Sequence, residues 1–337
     1  MSENNKKTSV ELPLVEPLYS TYHYQGAHSS VMAMNDSIKN HIFNSVMELS
    51  CNRKFLYGFT TPEITVVGSR IADNPYVESK KLHTQFLGTS TNAVIKNFLD
   101  LGWYVTFVGY DDYYIKGKSW YHTRHFNHDG LICGYNDVKQ TFSLYAYDVS
   151  WIYRKFEITQ RCLEAARKSG IAMRPNVSLC AYRAKSDTVQ FDPSAVFSGL
   201  KKYLASSFDK YPPTVNDTAY GIVVHDYIAM YLDKLADGSI PHDRMDRRVF
   251  RMIWEHKKVM LERIRLVESN LSMDKLTSYK YEPLVKLADD IRMLYAAYHM
   301  KERAALLPTI REKLLILRKK EADILGEFVT SLEVKLK

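Results

Sequence analysis

The sequence has few cysteines and no long apolar run. Its four cysteines are spread over 337 residues without a Cys-x-x-Cys pair and are too few for a disulfide framework, so we expect reduced thiols. No run of about 18 apolar residues is available to span a membrane. The opening residues, MSENNKKTSVELP, lack the apolar core of a signal peptide. These absences predict a cytoplasmic protein that has no membrane partner.

Charge of one sign is not concentrated in any segment. The net charge is +8, but basic residues are interspersed with acidic residues along segments that have helical periodicity. This pattern favours a solvated helical surface over a nucleic-acid-binding face, so we expect no nucleic-acid partner. The modest positive charge is compatible with an acidic protein partner.

The apolar pattern divides the chain into three parts. Residues 1–16 are polar and lack periodicity, which predicts a flexible arm. Residues 17–185 combine helical and strand-like segments, whereas residues 186–337 have mostly helical periodicity. The predicted fold class is therefore α+β. We expect a central N-terminal helix packed on an antiparallel sheet, followed by an all-α domain.

The first long helix is predicted from apolar residues at spacings of three and four, with Ser29 or Ser30 as its cap. The apolar positions are Val31, Met34, Ile38, Ile42 and Val46. The residues just before this start, 24–28, then point at free backbone N–H groups. Such a position suits a nucleophile, because a helix start lowers the pKa of a thiol.

Titratable groups are concentrated between residues 119 and 148. This segment contains His122, His125 and His128, then a strand-like run, a Gly-Tyr-Asn-Asp turn and a second strand that ends at Asp148. A hairpin of this kind can place a general base beside an orienting carboxylate. We therefore predict His128 as the base and Asp148 as its orienting partner. The strand after the histidines indicates an extended approach, which argues against a zinc site on them.

Three sequence blocks resemble a known family. They are YVTFVGYDDYYIKG at 104–117, HDGLICGYN at 128–136 and FSLYAYD at 142–148. They resemble the N-terminal domain of butirosin biosynthesis protein H, over roughly residues 20–165. The resemblance implies a papain-like cysteine-protease fold and an acyltransferase that forms an amide in natural-product biosynthesis. Similar proteins occur in clostridial pathways that build polyamide and polythioamide chains.

The resemblance also implies the substrates. An acyl or peptidyl chain would arrive as a thioester on the phosphopantetheine arm of a carrier protein. A small amine would then accept the chain from an acyl-enzyme, and the protein itself would need no cofactor. A peptidase-like amidase or thioesterase would use the same groups with water as the acceptor.

The family pattern matches this chain at the base but not at the nucleophile. His128 corresponds to the histidine before the family's apolar strand, and Asp148 to the acid that closes the next strand. The family has a cysteine at the start of its first long helix, where this chain reads Gln-Gly-Ala-His-Ser-Ser at residues 25–30. The thiol that the resemblance implies is therefore missing from this segment.

Three alternatives for the nucleophile stay open. Ala27 stands at the expected nucleophile position, as after a Cys→Ala substitution. Ser29 or Ser30 is instead a natural serine nucleophile activated by the histidine. In the third alternative the chain is a catalytically inactive module that only binds. Cys51 and Cys133 are expected to be small buried apolar residues and not substitutes for the missing thiol.

Five further residues complete the predicted site. Gln25 is a candidate for holding an oxyanion. Four tyrosines are expected either to line an acyl pocket or to be partly buried aromatics at the sheet edge. They are Tyr110, Tyr113, Tyr114 and Tyr121.

Overall fold

The computed structural model of the chain describes residues 7–58, 61–83, 91–174, 178–207 and 218–337. It confirms the mixed α+β class, with antiparallel sheets and a helical C-terminal region. The chain divides into two units, Met1–Lys39 with Arg70–Val189 and Asn40–Ser69 with Gln190–Lys337.

Strands and helices are numbered in chain order within the described residues. The strands are β1 (Ser9–Glu11), β2 (Leu49–Asn52), β3 (Ile64–Val66), β4 (Val77–His83), β5 (Tyr104–Asp111), β6 (Asn127–Asn136), β7 (Thr141–Tyr147), β8 (Tyr153–Thr159), β9 (Ser178–Ala184) and β10 (Thr218–Tyr220). The helices are α1 (His23–Ser30), α2 (Asp36–Ser45), α3 (Thr91–Asp100), α4 (Gln160–Met173), α5 (Pro193–Ala205), α6 (Val224–Ala236), α7 (Val249–Asn270), α8 (Leu276–Lys301) and α9 (Leu306–Lys335). Within the part of the chain described, none of these helices is both long and apolar enough to cross a bilayer.

The first unit is built on an antiparallel sheet with the strand order β4-β9-β5-β6-β7-β8, and β1 also pairs with β6. Helix α1 contacts β6 and β7, while α3 and α4 pack against β5. Phe107, Ile132 and Phe142 are completely buried in the core of this unit. Because β5 and β6 are antiparallel, the last residues of β5 lie beside the first residues of β6. That corner of the sheet positions the site described below.

The N-terminal segment is bound to the sheet from residue 7 onward. Val10 lies opposite Tyr135 in the β1–β6 pair. The N–H of Leu12 donates to the carbonyl of Cys133 at 2.8 Å, and the N–H of Val15 to the carbonyl of Ser30 at 2.9 Å. The prediction of a flexible arm is therefore wrong for residues 7–16. Pairing of this kind uses backbone groups, so polar side chains gave no sign of it. Residues 1–6 lie outside the described part of the chain.

The boundary between the units also differs from the prediction. Residues 40–69, which the apolar pattern assigns to the first domain, belong to the second unit. Arg263 on α7 donates from Nε to the carbonyl of Phe43 at 2.7 Å and from Nη2 to that of Val46 at 2.9 Å. These partners are about 220 residues apart in the chain, so no local pattern reveals them. The second unit also contains a small sheet, β10-β2-β3, of which β10 lies in the part of the chain where the sequence predicts only helices.

The first helix begins earlier than its apolar pattern predicts. Ser29 and Ser30 are at the end of α1, not at a helix start, and a 3₁₀ turn over Val31–Met34 separates α1 from α2. The helix begins at His23 after Tyr22, whose backbone is extended and whose side chain makes no capping hydrogen bond. The sequence therefore carries no cap signal at the true start.

The second unit contains a buried ionic cluster. Nζ of Lys257 on α7 lies 2.6 Å from Oε2 of Glu321 on α9, and both side chains are inaccessible to solvent. The hydroxyls of Tyr203 on α5 and Tyr281 on α8 donate to the same carboxylate at 3.0 and 2.6 Å. Buried charges require such partners. The carboxylate of Glu321 thus links four helices at the centre of the unit.

Helix α4 approaches β5 so closely that only glycine fits at residue 170. A Cβ on Gly170 would overlap with the carbonyl oxygen of Gly109. We expect Gly170→Ala to lower the free energy of unfolding by about 3 kcal/mol. The added carbon can be accommodated only if the backbone of α4 or that of β5 shifts. Gly326→Ala in α9, where nothing lies within 4 Å of the added carbon, is the matched control. Urea unfolding of both variants is the measurement, and equal changes in stability would contradict the close approach.

Candidate active site

His128 is held by a carboxylate at the start of β6. Its Nδ1 lies 2.7 Å from Oδ2 of Asp112, which is almost completely buried, while 20% of the His128 side chain stays exposed. An ionised carboxylate can only accept hydrogen bonds, so Nδ1 carries the proton and Nε2 is left able to accept one. The two residues are therefore arranged as a general base with an orienting partner.

The sheet register brings this pair together. A 3₁₀ turn, Asp112–Tyr114, directly follows β5. Tyr110 lies opposite His128 across the β5–β6 ladder, and the register shifts just before it. Such a bulge re-aims the following side chains. The N–H of Asp112 also donates to the carbonyl of Phe126 at 2.9 Å, which fixes the turn against the segment that enters β6.

A second pair of the same kind lies beside the first. Nδ1 of His125 is 2.6 Å from Oδ2 of Asp111, to which Oγ of Ser169 also donates at 2.6 Å. Burial by itself would raise the pKa of Asp111, but hydrogen bonds from Ser169, His125 and two backbone N–H groups outweigh it and lower the pKa. The His125 side chain is 54% exposed and stacks on Tyr113 with ring centroids 4.3 Å apart. The imidazole of this pair is at the surface although its aspartate is buried, which makes His125 a natural control for His128.

A buried lysine lies beside the carboxylate of the His128–Asp112 pair and balances its negative charge. Nζ of Lys118 lies 3.6 Å from Oδ1 of Asp112, and both side chains are only 1% exposed. Burial lowers the pKa of Lys118, although attraction to Asp112, Asp129 and Asp148 opposes the shift. The turn that follows β5 brings the lysine back to the aspartate, since the N–H of Ile115 donates to Asp112 and that of Lys118 to Ile115. The carboxylate thus faces an imidazole on one oxygen and a cation on the other.

A second imidazole lies against the base. His23, the first residue of α1, has its ring centroid 4.2 Å from that of His128 and 5.0 Å from that of Tyr147. Burial lowers the pKa of His23 well below its usual value, and the charges of His128 and Lys118 lower it further. The His23 ring is therefore uncharged at neutral pH, although part of the residue remains accessible to solvent.

The structure contradicts the predicted pairing of His128 with Asp148. Oδ1 of Asp148 accepts hydrogen bonds from the N–H groups of Ser150 and Ile152 at 2.8 and 2.9 Å. Oδ2 lies 2.6 Å from Nε of Arg154. Asp148 therefore shapes the tight turn between β7 and β8, and the carboxylate that contacts His128 is that of Asp112.

The predicted nucleophile positions are in the last turn of α1. Oγ of Ser29 lies 2.8 Å from the carbonyl oxygens of both Gln25 and Tyr19 and can donate its one proton to either, and Oγ of Ser30 donates to the carbonyl of Gly26 at 2.5 Å. Ala27 is buried in an apolar cluster. Both hydroxyl protons are thus committed to backbone carbonyls. Ala27 lies four residues, or about 6 Å along the helix axis, beyond the residue that contacts His128.

The remaining predicted site residues differ in exposure. Gln25 is completely buried inside α1 and Tyr110 is completely buried in the core, where its hydroxyl donates to the carbonyl of Asp129. Neither side chain is exposed to solvent, and their oxyanion and pocket roles stay predictions. The other three tyrosines are partly exposed. Tyr113 and Tyr114 are in ring contact with His125, and Tyr121 stacks on His122.

Two cysteines behave as the sequence predicts. Cys51 and Cys133 are completely buried. Burial raises the pKa of the Cys133 thiol to about 12 and raises that of Cys51 as well. Both thiols are therefore protonated at neutral pH and are poor nucleophiles. In the described ranges, no group of three or more His, Cys, Asp and Glu side chains is arranged to hold a metal ion.

Comparison with known proteins does not assign the chain to a family. No protein-family model matches the chain, and no curated protein matches it.

Proposed function

We propose that the chain transfers an acyl group from a thioester to an amine, with His128 as general base and Asp112 as the residue that orients it. The observation that carries this proposal is the 2.7 Å contact between His128 and Asp112, which leaves Nε2 of the imidazole able to accept a proton. An amine that attacks a carbonyl must lose a proton, and His128 is placed to take it.

Aromatic side chains around the base support an acyl substrate. The ring of Phe126, which is exposed, lies 5.1 Å from that of His128. An exposed ring beside the base offers apolar contact to an acyl chain. The sequence resemblance gives the thioester, which would be carried by the phosphopantetheine arm of an acyl or peptidyl carrier protein. The net charge of +8 suits an acidic carrier.

The papain-like fold belongs to the same proposal. Helix α1 contacts β6 and β7, and the base lies on β6. This arrangement agrees with a papain-like unit in which a helix start meets a histidine on an antiparallel sheet. A cytoplasmic setting and a role in natural-product assembly also remain part of the proposal.

The test is aminolysis of a benzoyl N-acetylcysteamine thioester by benzylamine with the full chain. We expect N-benzylbenzamide from the wild type and a rate about 10²- to 10⁴-fold lower for His128→Ala. His125→Ala, which removes the neighbouring surface imidazole, is the matched control and should retain the wild-type rate.

Three results would contradict the proposal. Absence of amide from the wild-type chain would exclude acyl transfer to this amine class. Benzoic acid formed at equal rates with and without benzylamine would indicate a hydrolase. An unchanged rate in His128→Ala would show that the base is elsewhere.

A further inference from the structure

We propose that the surface around the β7–β8 turn docks an acidic protein that delivers the acyl thioester to His128. This inference rests on the proposed acyl transfer and names the place where the partner in that reaction binds. The docking surface consists of two segments, residues 113–126, which follow β5, and residues 148–154, which follow β7.

The docking surface lies at the same end of the sheet as the base. Strands β6 and β7 are antiparallel, with Leu131 opposite Tyr145, so the end of β7 lies beside the start of β6, where His128 is located. The N–H of Val149 donates to the carbonyl of Gly117 at 2.6 Å, which joins the two segments. A protein bound to this surface is therefore held next to the base.

The β7–β8 turn exposes apolar side chains that the turn itself does not require. Val149, Trp151 and Ile152 are exposed, and Trp151 is 42% accessible to solvent. The backbone of Trp151 is left-handed, with a φ of +59°, a conformation that favours glycine or asparagine. Tryptophan is among the residues that contribute most to protein–protein binding. A partner that packs on the indole therefore accounts for tryptophan at this position.

The apolar surface continues to the base through the first segment. The ring of Trp120 lies 6.2 Å from that of Phe126, which is exposed and lies 5.1 Å from the ring of His128. The guanidinium of Arg124 lies over Trp120, 5.3 Å from the ring centroid. The docking surface thus extends without a break from the β7–β8 turn to the base.

The charge of the docking surface selects the partner. Within these two fully described segments, the exposed lysine and arginine side chains are Lys116, Arg124 and Arg154, and the one carboxylate, that of Asp148, is buried against Arg154. An apolar centre with a basic rim is complementary to an acidic protein surface. The same charges disfavour a second copy of this chain, since its net charge is +8 and two such surfaces would repel each other.

The experiment compares two benzoyl thioesters as substrates of the full chain, with benzylamine as acceptor. One is carried on the phosphopantetheine arm of an acidic acyl carrier protein of fatty-acid synthesis, and the other is the N-acetylcysteamine thioester. We expect the wild type to have a kcat/KM about 10-fold or more higher for the carrier-bound thioester. Trp151→Gly should lower this kcat/KM about 10-fold and change that for the small thioester less than about twofold. Glycine suits the φ of +59°, so the variant keeps the turn.

Controls separate docking from folding. Val138→Ser removes an exposed apolar side chain from the turn at the opposite end of β6 and should change neither kcat/KM. Lys116→Glu combined with Arg124→Glu should weaken the reaction with the carrier protein. A carrier protein whose acidic residues beside the modified serine are replaced by lysine should restore it, because the two surfaces are again complementary in charge.

The outcomes distinguish this inference from the proposed function. Equal kcat/KM for the two thioesters in the wild type, or equal losses on both in Trp151→Gly, would overturn the docking surface while leaving acyl transfer intact. Self-association of the wild type that Trp151→Gly abolishes would assign the surface to a second copy of the chain and also overturn the inference. No transfer from either thioester by the wild type would overturn both proposals.

Discussion

Replacing Asp112 by asparagine is expected to lower kcat for thioester aminolysis by about 10³- to 10⁴-fold. The amide nitrogen of asparagine donates hydrogen bonds, so it favours the imidazole tautomer with the proton on Nε2. That tautomer cannot accept the proton of the amine. Asp148→Asn should change kcat little, since Asp148 bonds to Ser150, Ile152 and Arg154 in a turn.

The substitution at Asp112 also affects stability, and a double variant separates the two effects. Asp112→Asn leaves Lys118 buried beside a neutral group, so the free energy of unfolding should fall. Replacing Lys118 by methionine in the same chain removes the uncompensated charge and should recover part of the stability. Activity should not return, because the imidazole still lacks its carboxylate. Recovery of both would show that Asp112 acts only through folding.

Replacing Lys257 by methionine is expected to destabilise the second unit by about 3–5 kcal/mol. The substitution leaves the buried carboxylate of Glu321 without the cation that lies 2.6 Å away. Glu321→Gln in the same chain removes that charge while keeping an acceptor oxygen for one of the two tyrosine hydroxyls that bond to Glu321. The double variant should therefore be more stable than Lys257→Met alone. Denaturant unfolding of the four chains gives the coupling between the two side chains, and additive losses would contradict a buried ion pair.

The same cluster gives the unfolding free energy a defined pH dependence. Burial opposes ionisation of Glu321, but Lys257 and two histidines outweigh it and lower the pKa to about 2. Burial also lowers the pKa of His225 to about 3. In both cases the unfolded chain binds the proton more readily, so stability falls as the pH falls. The loss begins near pH 6.5 from His225 and continues below about pH 4.5 from Glu321.

The sequence predicted the coarse fold because its periodicity reports local structure. The α+β class and the helical C-terminal region follow from apolar spacing, and the structure confirms them. Helix capping is local in the same way, since Asp192, just before Pro193, caps α5 by accepting from the N–H of Ser194 at 2.8 Å. Residues 40–69 were placed in the wrong unit because their partners on α7 are distant in the chain.

The site shows the same division between local and distant signals. His128 lies at the start of β6, directly before the apolar residues of that strand. The sequence alone therefore indicated it as a base candidate. Its partner Asp112 is 16 residues earlier and reaches it only through the β5–β6 register and bulge. The two consecutive aspartates after a strand, Asp111 and Asp112, were the available signal. Asp148 was chosen because it also ends a strand, and only the structure shows its carboxylate bonded within a turn.

His23 was missed because the start of α1 carries no sequence signal. The helix HYQGAHSS has no apolar stripe, and Tyr22 gives no side-chain cap. Periodicity begins only at Val31, where the helix has already ended. The predicted helix start was therefore displaced by about two turns.

The most direct test of the central claim is the proton NMR spectrum of the chain labelled with ¹⁵N-histidine. A hydrogen bond from Nδ1 of His128 to the buried carboxylate of Asp112 should give a low-field, nitrogen-coupled proton resonance that disappears in His128→Ala. We expect Asp112→Asn to abolish this resonance and Asp148→Asn to leave it unchanged. Loss of the resonance in Asp148→Asn together with its survival in Asp112→Asn would contradict the account.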